Sequence, residues 1–138
     1  MPRELWDFFW LNRELLNSIP KLAANCIQEI ANNKKVTPGI YIAVQTFGRD
    51  LKRNVHIHLS TTTGGLSEDG STWKKLFFDQ KTLMKMWRYE IITLFRETYA
   101  QKNLIIPKMI QQQLTHLFTF NKFLDNLYKK YWIVLSKK

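Results

Sequence analysis

Apolar residues recur at helical spacing up to about residue 33, gather into strand-like runs between 40 and 62, and return to helical spacing after 79. Pro2 suits a first helical turn, and Leu5, Phe8, Phe9, Leu15 and Leu16 fall near one stripe, predicting a helix that begins almost at residue 1. Ser18-Ile-Pro20 supplies a break and a new cap. Leu22, Ala23, Cys26, Ile27 and Ile30 then form a second stripe, which ends near Asn32 to Lys35. Pro38-Gly39 is a turn signal, and Ile40 to Phe47 is β-branched and aromatic enough for a strand. The basic connector Gly48 to Asn54 returns the chain into a second strand, making a hairpin. Gly64-Gly65 is expected to end that strand, Ser67 to Ser71 to form a polar loop, and Trp73 to Phe78 to form a third strand.

Asp79 is placed to cap a helix in which Leu83, Trp87, Ile91, Leu94 and Phe95 repeat to about Gln101. After Asn103 to Pro107 a further helical stretch runs through Gln111-Gln-Gln113 to about Lys130 with a break or bend near Phe118 to Asn121, and Trp132 to Leu135 reads as a last strand. The pattern predicts an α+β fold: two helices lead into an antiparallel sheet with Asn54 to Thr62 as its middle strand, and the helix from about Gln80 to Gln101 packs across one face.

Composition narrows the partners. At 138 residues, 45% of them hydrophobic, the chain can bury a core and is expected to form one domain over 1–138, itself incomplete. The net charge of +10 suits polyanions such as nucleic acid better than small acidic molecules, although a merely basic surface has the same signature. From Lys102 onward there are seven lysines and one acid, Asp125, so that end is expected to touch phosphate. A single cysteine, Cys26, rules out an intramolecular disulfide and a Cys-rich zinc module within these residues. The absence of a membrane-length apolar run and of a signal-peptide pattern leads to an expected cytoplasmic, nucleoid-associated location.

The candidate chemistry lies in Asn54-Val-His-Ile-His-Leu-Ser-Thr-Thr-Thr-Gly-Gly65. Side chains alternate along a strand, so His56 and His58 share one face while Val55, Ile57 and Leu59 face a core. Two imidazoles aimed at one point can hold a divalent metal, and Gln45 on the partner strand can add an amide oxygen. The same residues also read as an ordinary polar sheet face. Mn²⁺ or Mg²⁺ is the expected cofactor, with water and phosphate oxygens filling the remaining positions. Arg49, Lys52 and Arg53 beside the histidines, and Lys129 and Lys130 near the end, are the candidate DNA contacts. His116 reads as a surface or groove residue of a helix.

At the His-hydrophobe-His motif the chain resembles the HUH endonucleases, and more closely the rolling-circle insertion-sequence transposases. The residues that carry the resemblance are Pro2-Arg-Glu-Leu-Trp with Phe9-Trp-Leu-Asn-Arg13, then Gly39-Ile, Gln45-Thr-Phe-Gly-Arg-Asp-Leu51, and Asn54-Val-His-Ile-His-Leu59 with Gly64-Gly65. The resemblance implies metal-assisted attack of a tyrosine on a single-stranded DNA phosphate at transposon ends, giving a 5′-phosphotyrosine and a free 3′-hydroxyl.

The sequence departs from that family's pattern at both ends. Such transposases carry a cysteine-rich zinc module before the region matching Met1, and a tyrosine pair with three intervening residues after the region matching Trp132 to Lys138. Tyr128 and Tyr131 have two residues between them and precede the expected last strand, so packing or surface roles are expected of them rather than nucleophilic ones. Tyr89 and Tyr99 read as helix packing residues. The expectation is a truncated transposase that keeps the metal half of its active site without the nucleophile half. Two alternatives are a non-catalytic nucleic-acid-binding module, and a regulator that pairs with the full-length transposase or occupies transposon ends.

Overall fold

The computed structural model describes residues 1–134. A 3₁₀ turn, Arg3–Leu5, leads into α1, Trp6–Leu11; a second 3₁₀ turn, Arg13–Asn17, leads into α2, Ile19–Asn32. Five strands follow: β1 Val36–Thr37, β2 Ile40–Phe47, β3 Arg53–Thr61, β4 Gly64–Ser67 and β5 Trp73–Lys75. The helices α3, Gln80–Ala100, α4, Lys108–Gln111, and α5, Leu117–Lys129, complete the order.

The expected α+β class is what the structure has, with all strand pairs antiparallel. The single sheet with a middle histidine strand is not. Among the described residues β3 pairs with β2 alone, while β4 pairs with β1 and β5 in a separate three-stranded sheet. The reason lies at Gly64-Gly65, expected to end a strand. A Cβ on Gly64 would come within 2.5 Å of Trp73 Nε1, and one on Gly65 within 2.6 Å of the Thr37 carbonyl. Both glycines therefore serve close approach of neighbouring backbones, and the chain starts a new ladder there instead of stopping.

The first predicted helix is interrupted at Asn12, which has φ −121° and ψ 67°. Its fully buried carboxamide donates to the Phe8 carbonyl and, at 2.8 Å, to the Ile105 carbonyl; its oxygen accepts from Ile105 N–H at 2.7 Å. One side chain thus ends α1 and fastens it to the segment before α4. The predicted bend near Phe118 comes earlier, at 112–116. There the Thr119 hydroxyl accepts from His116 N–H and donates to its carbonyl at the start of α5. Residues 132–134 of the expected last strand belong to no ladder, and Leu135 lies outside the described residues.

The core is aromatic. Phe8, Phe9, Phe95 and Phe120 are fully buried, with Phe95 meeting Phe8 and Phe9 edge-on at 5.5 and 5.2 Å between ring centres. Burying each such ring contributes about 1.5–3 kcal/mol. Tyr99 stacks on Phe120 at 4.0 Å and donates to the Leu114 carbonyl, the packing role expected of it. Ile42, Val44, Val55, Ile57 and Leu59 of the hairpin pack against this core, which turns the other face of β2 and β3 outward.

Candidate metal centre

The register of the hairpin sets the site. Gln45 lies opposite His56, and Ala43 opposite His58, so all three candidate ligands share the outward face. Ile57, between the histidines, anchors the strand in the core from the other side. The two imidazole ring centres are 5.1 Å apart with their planes inclined at 68°.

Hydrogen bonds define which ring atoms are available. His56 Nδ1 lies 2.9 Å from the Asn54 carbonyl, and a carbonyl only accepts, so Nδ1 carries the proton and Nε2 keeps its lone pair. A backbone carbonyl fixing the far nitrogen is the usual way a protein orients a ligating imidazole. His58 Nε2 donates to Gln45 Oε1 at 3.2 Å. In this arrangement His58 Nε2 holds the proton and would have to move it to Nδ1 to ligate an ion; the separation is near the about 3 Å between two ligands at right angles on an ion 2.0–2.1 Å from each.

Among the described residues no cluster of three His, Cys, Asp or Glu side chains exists, so no carboxylate joins the imidazoles. The donors that do converge, two imidazoles and an amide oxygen, fit Mn²⁺ or Mg²⁺ only in a mixed shell where water or phosphate supplies oxygen and negative charge. Cys26, on α2, adds no ligand: burial, with Glu90 and Glu29 nearby, pushes its thiol up to about 12, and it donates to the Leu22 carbonyl. An apolar groove of ≈ 620 Å³ runs beside His56 and the following residues of β3, walled by Cys26, Trp87 and Phe77 among others.

The candidate DNA contacts divide into two groups. Arg49 and Lys52 lie in the hairpin turn and Arg53 opens β3; Lys52 faces Asp50 at 3.5 Å, and Arg53 faces Asp7 at 3.0 Å. Lys129 ends α5, and Lys130 just after it is paired with Glu4. Tyr128 lies half-buried on α5 with the Arg88 guanidinium 4.1 Å over its ring and donating to its carbonyl, whereas Tyr131 is exposed beyond the helix end. His116 is exposed at the start of α5.

With this geometry in hand, comparison with known proteins identifies the lineage. A family model described as "Putative transposase" matches residues 39–138, which include the hairpin and both histidines. The chain belongs to this transposase family. It is 39% identical over 89 residues to the transposase for insertion sequence element IS801 of Pseudomonas savastanoi pv. phaseolicola. The match takes in 64% of this transposase-family chain and 22% of that protein, so the chain spans about a fifth of its relative's length. No solved structure matches it. No helix among the described residues is long and apolar enough to cross a membrane.

Sequence reasoning did not find Asn12, although a lone carboxamide four residues after Phe8 in an otherwise apolar pattern was a usable signal. It also missed the bulge at the base of the hairpin. Between the Gln45–His56 and Phe47–Arg53 pairs, β2 spends one residue and β3 two. That extra residue shifts Arg53 from the parity of core-facing Val55 to a place opposite Phe47.

Proposed function

We propose that this chain is the metal-binding part of a transposase that handles single-stranded DNA at transposon ends, in the cytoplasm where that DNA lies. The observation that carries the reading is the convergence of His56, His58 and Gln45 on one outward sheet face, with the His56 tautomer set by the Asn54 carbonyl. Held there, Mn²⁺ or Mg²⁺ would polarise a phosphodiester for in-line displacement. The chain's own residues do the rest: Ile57 and Val55 fix the ribbon, Asn54 aims one ring, and Arg49, Lys52, Arg53, Lys129 and Lys130 supply positive charge along which a phosphate backbone is drawn.

The nucleophile of nicking and rejoining, a tyrosine by the family's chemistry, is neither Tyr128 nor Tyr131 in this reading. Tyr128 is occupied as the platform of Arg88, and Tyr131 projects from beyond α5. In this reading the described residues supply the metal half of the reaction.

A second reading, a non-catalytic DNA-binding module or a regulator that associates with full-length transposase, is favoured by the absence of a carboxylate beside the imidazoles among the described residues. Calorimetric titration of the chain with Mn²⁺, with and without a single-stranded oligonucleotide, separates the two. The metal reading expects weak binding alone, at least tenfold tighter binding with the oligonucleotide, and loss of both in His56→Ala and His58→Ala at unchanged melting temperature. Identical Mn²⁺ titrations for wild type and both variants would refute it.

A further inference from the structure

The outward face of the hairpin carries more than its candidate metal ligands. Reading along β2 and its partners, Tyr41 lies opposite Ser60, Ala43 opposite His58, Gln45 opposite His56 and Phe47 opposite Arg53. Tyr41 is 69% exposed and Phe47 45% exposed, although both belong to strands whose other face is core. Six residues at about 3.3 Å each put these two rings about 20 Å apart, with the imidazoles between them.

The Phe47 end is built further by α1. Trp10 meets Phe47 edge-on at 5.9 Å, the Arg53 guanidinium lies 4.4 Å over the Trp10 ring, and Arg13 lies 5.3 Å from it. Arg53 reaches this position because of the bulge described above and is steadied by Asp7. The result is a cationic, aromatic corner at one end of the histidine face and an exposed phenol at the other.

We propose that Tyr41 and Phe47, the latter backed by Trp10 and Arg53, are base-stacking platforms that bracket the histidine pair and hold a single DNA strand across it. Two exposed rings on one face, one of them beside guanidinium groups, on a chain of net charge +10 match a polyanion that carries flat, unpaired bases. A duplex keeps its base faces covered, so the platforms select single strands whatever their sequence. This deepens the single-stranded DNA reading above and rests on it, but the stacking itself needs no metal.

The test is fluorescence anisotropy in EDTA, using the full chain, a labelled oligo(dT) strand, an abasic strand of equal length and a duplex. Tyr41→Ala and Phe47→Ala are each expected to weaken oligo(dT) binding about 5- to 150-fold. The salt dependence, melting temperature, abasic-strand and duplex affinities should stay as in wild type, and Tyr41→Phe and Phe47→Tyr should restore binding. Oligo(dT) affinity unchanged within twofold in both Ala variants would overturn the proposal. So would equal losses on oligo(dT), abasic strand and duplex, which would mark the rings as structural or the surface as a docking site for another protein. Because metal is absent, these outcomes are independent of whether His56 and His58 bind Mn²⁺.

Discussion

Single residues carry more of this architecture than their bulk suggests. Asn12 is fully buried and spends its carboxamide on three backbone partners, two of them on Ile105. Removing it leaves a partly buried N–H and C=O without partners, each worth about 1 kcal/mol or more. Asn12→Ala is expected to cost about 2 kcal/mol in urea unfolding at unchanged slope, and Asn12→Asp more, because it removes both donors and buries a charge. Equal stability of wild type and Asn12→Asp would show that the carboxamide is not the tie. The histidines obey a similar logic, since the Asn54 carbonyl decides which nitrogen of His56 is open.

At the scale of elements, periodicity made much of the fold legible. The predicted strand Ile40 to Phe47, the hairpin return and the helix from about Gln80 all have their counterparts in β2, β3 and α3, because each is long enough for alternation or helical spacing to repeat. Asp79 caps α3 as expected, its carboxylate accepting from Thr82 N–H and hydroxyl, which holds its pKa below the usual 3.8. That lowered value means the cap's stabilisation is complete above the unfolded pKa and is lost as pH falls through the folded one. Asp79→Ala is therefore expected to melt below wild type at pH 7 and 5, with the gap narrowing as acid protonates the capping carboxylate. A gap that stays the same throughout an acid titration would contradict the cap's role. What periodicity did not show was pairing: the Gly64-Gly65 contacts, the Asn12 break and the one-residue bulge before His56 are tertiary events that leave no repeating signature.

For the whole molecule, the helices and the core-facing side of the hairpin form one aromatic-rich body, and the other side of the hairpin is turned outward. The candidate ligands were readable from strand parity alone, because alternation puts His56 and His58 on one face whatever the remaining sheet does. Their surroundings were not, since α1 delivers Trp10 and Asp7 from over forty residues away to the base of the hairpin. The charge excess was read correctly as a total, yet several of its members, Lys52, Arg53 and Lys130, face acids within the chain. Exposed pairs of this kind are weak enough to exchange an acid for phosphate. Family membership and the hairpin's geometry meet at a single claim, that one divalent ion sits between two imidazoles and an amide. Crystals grown with Mn²⁺ and a single-stranded oligonucleotide, measured for manganese anomalous scattering, test it most directly. The account predicts an anomalous peak within bonding distance of His56, His58 and Gln45, and a map with no peak there, or with manganese bound only elsewhere on the chain, would contradict it.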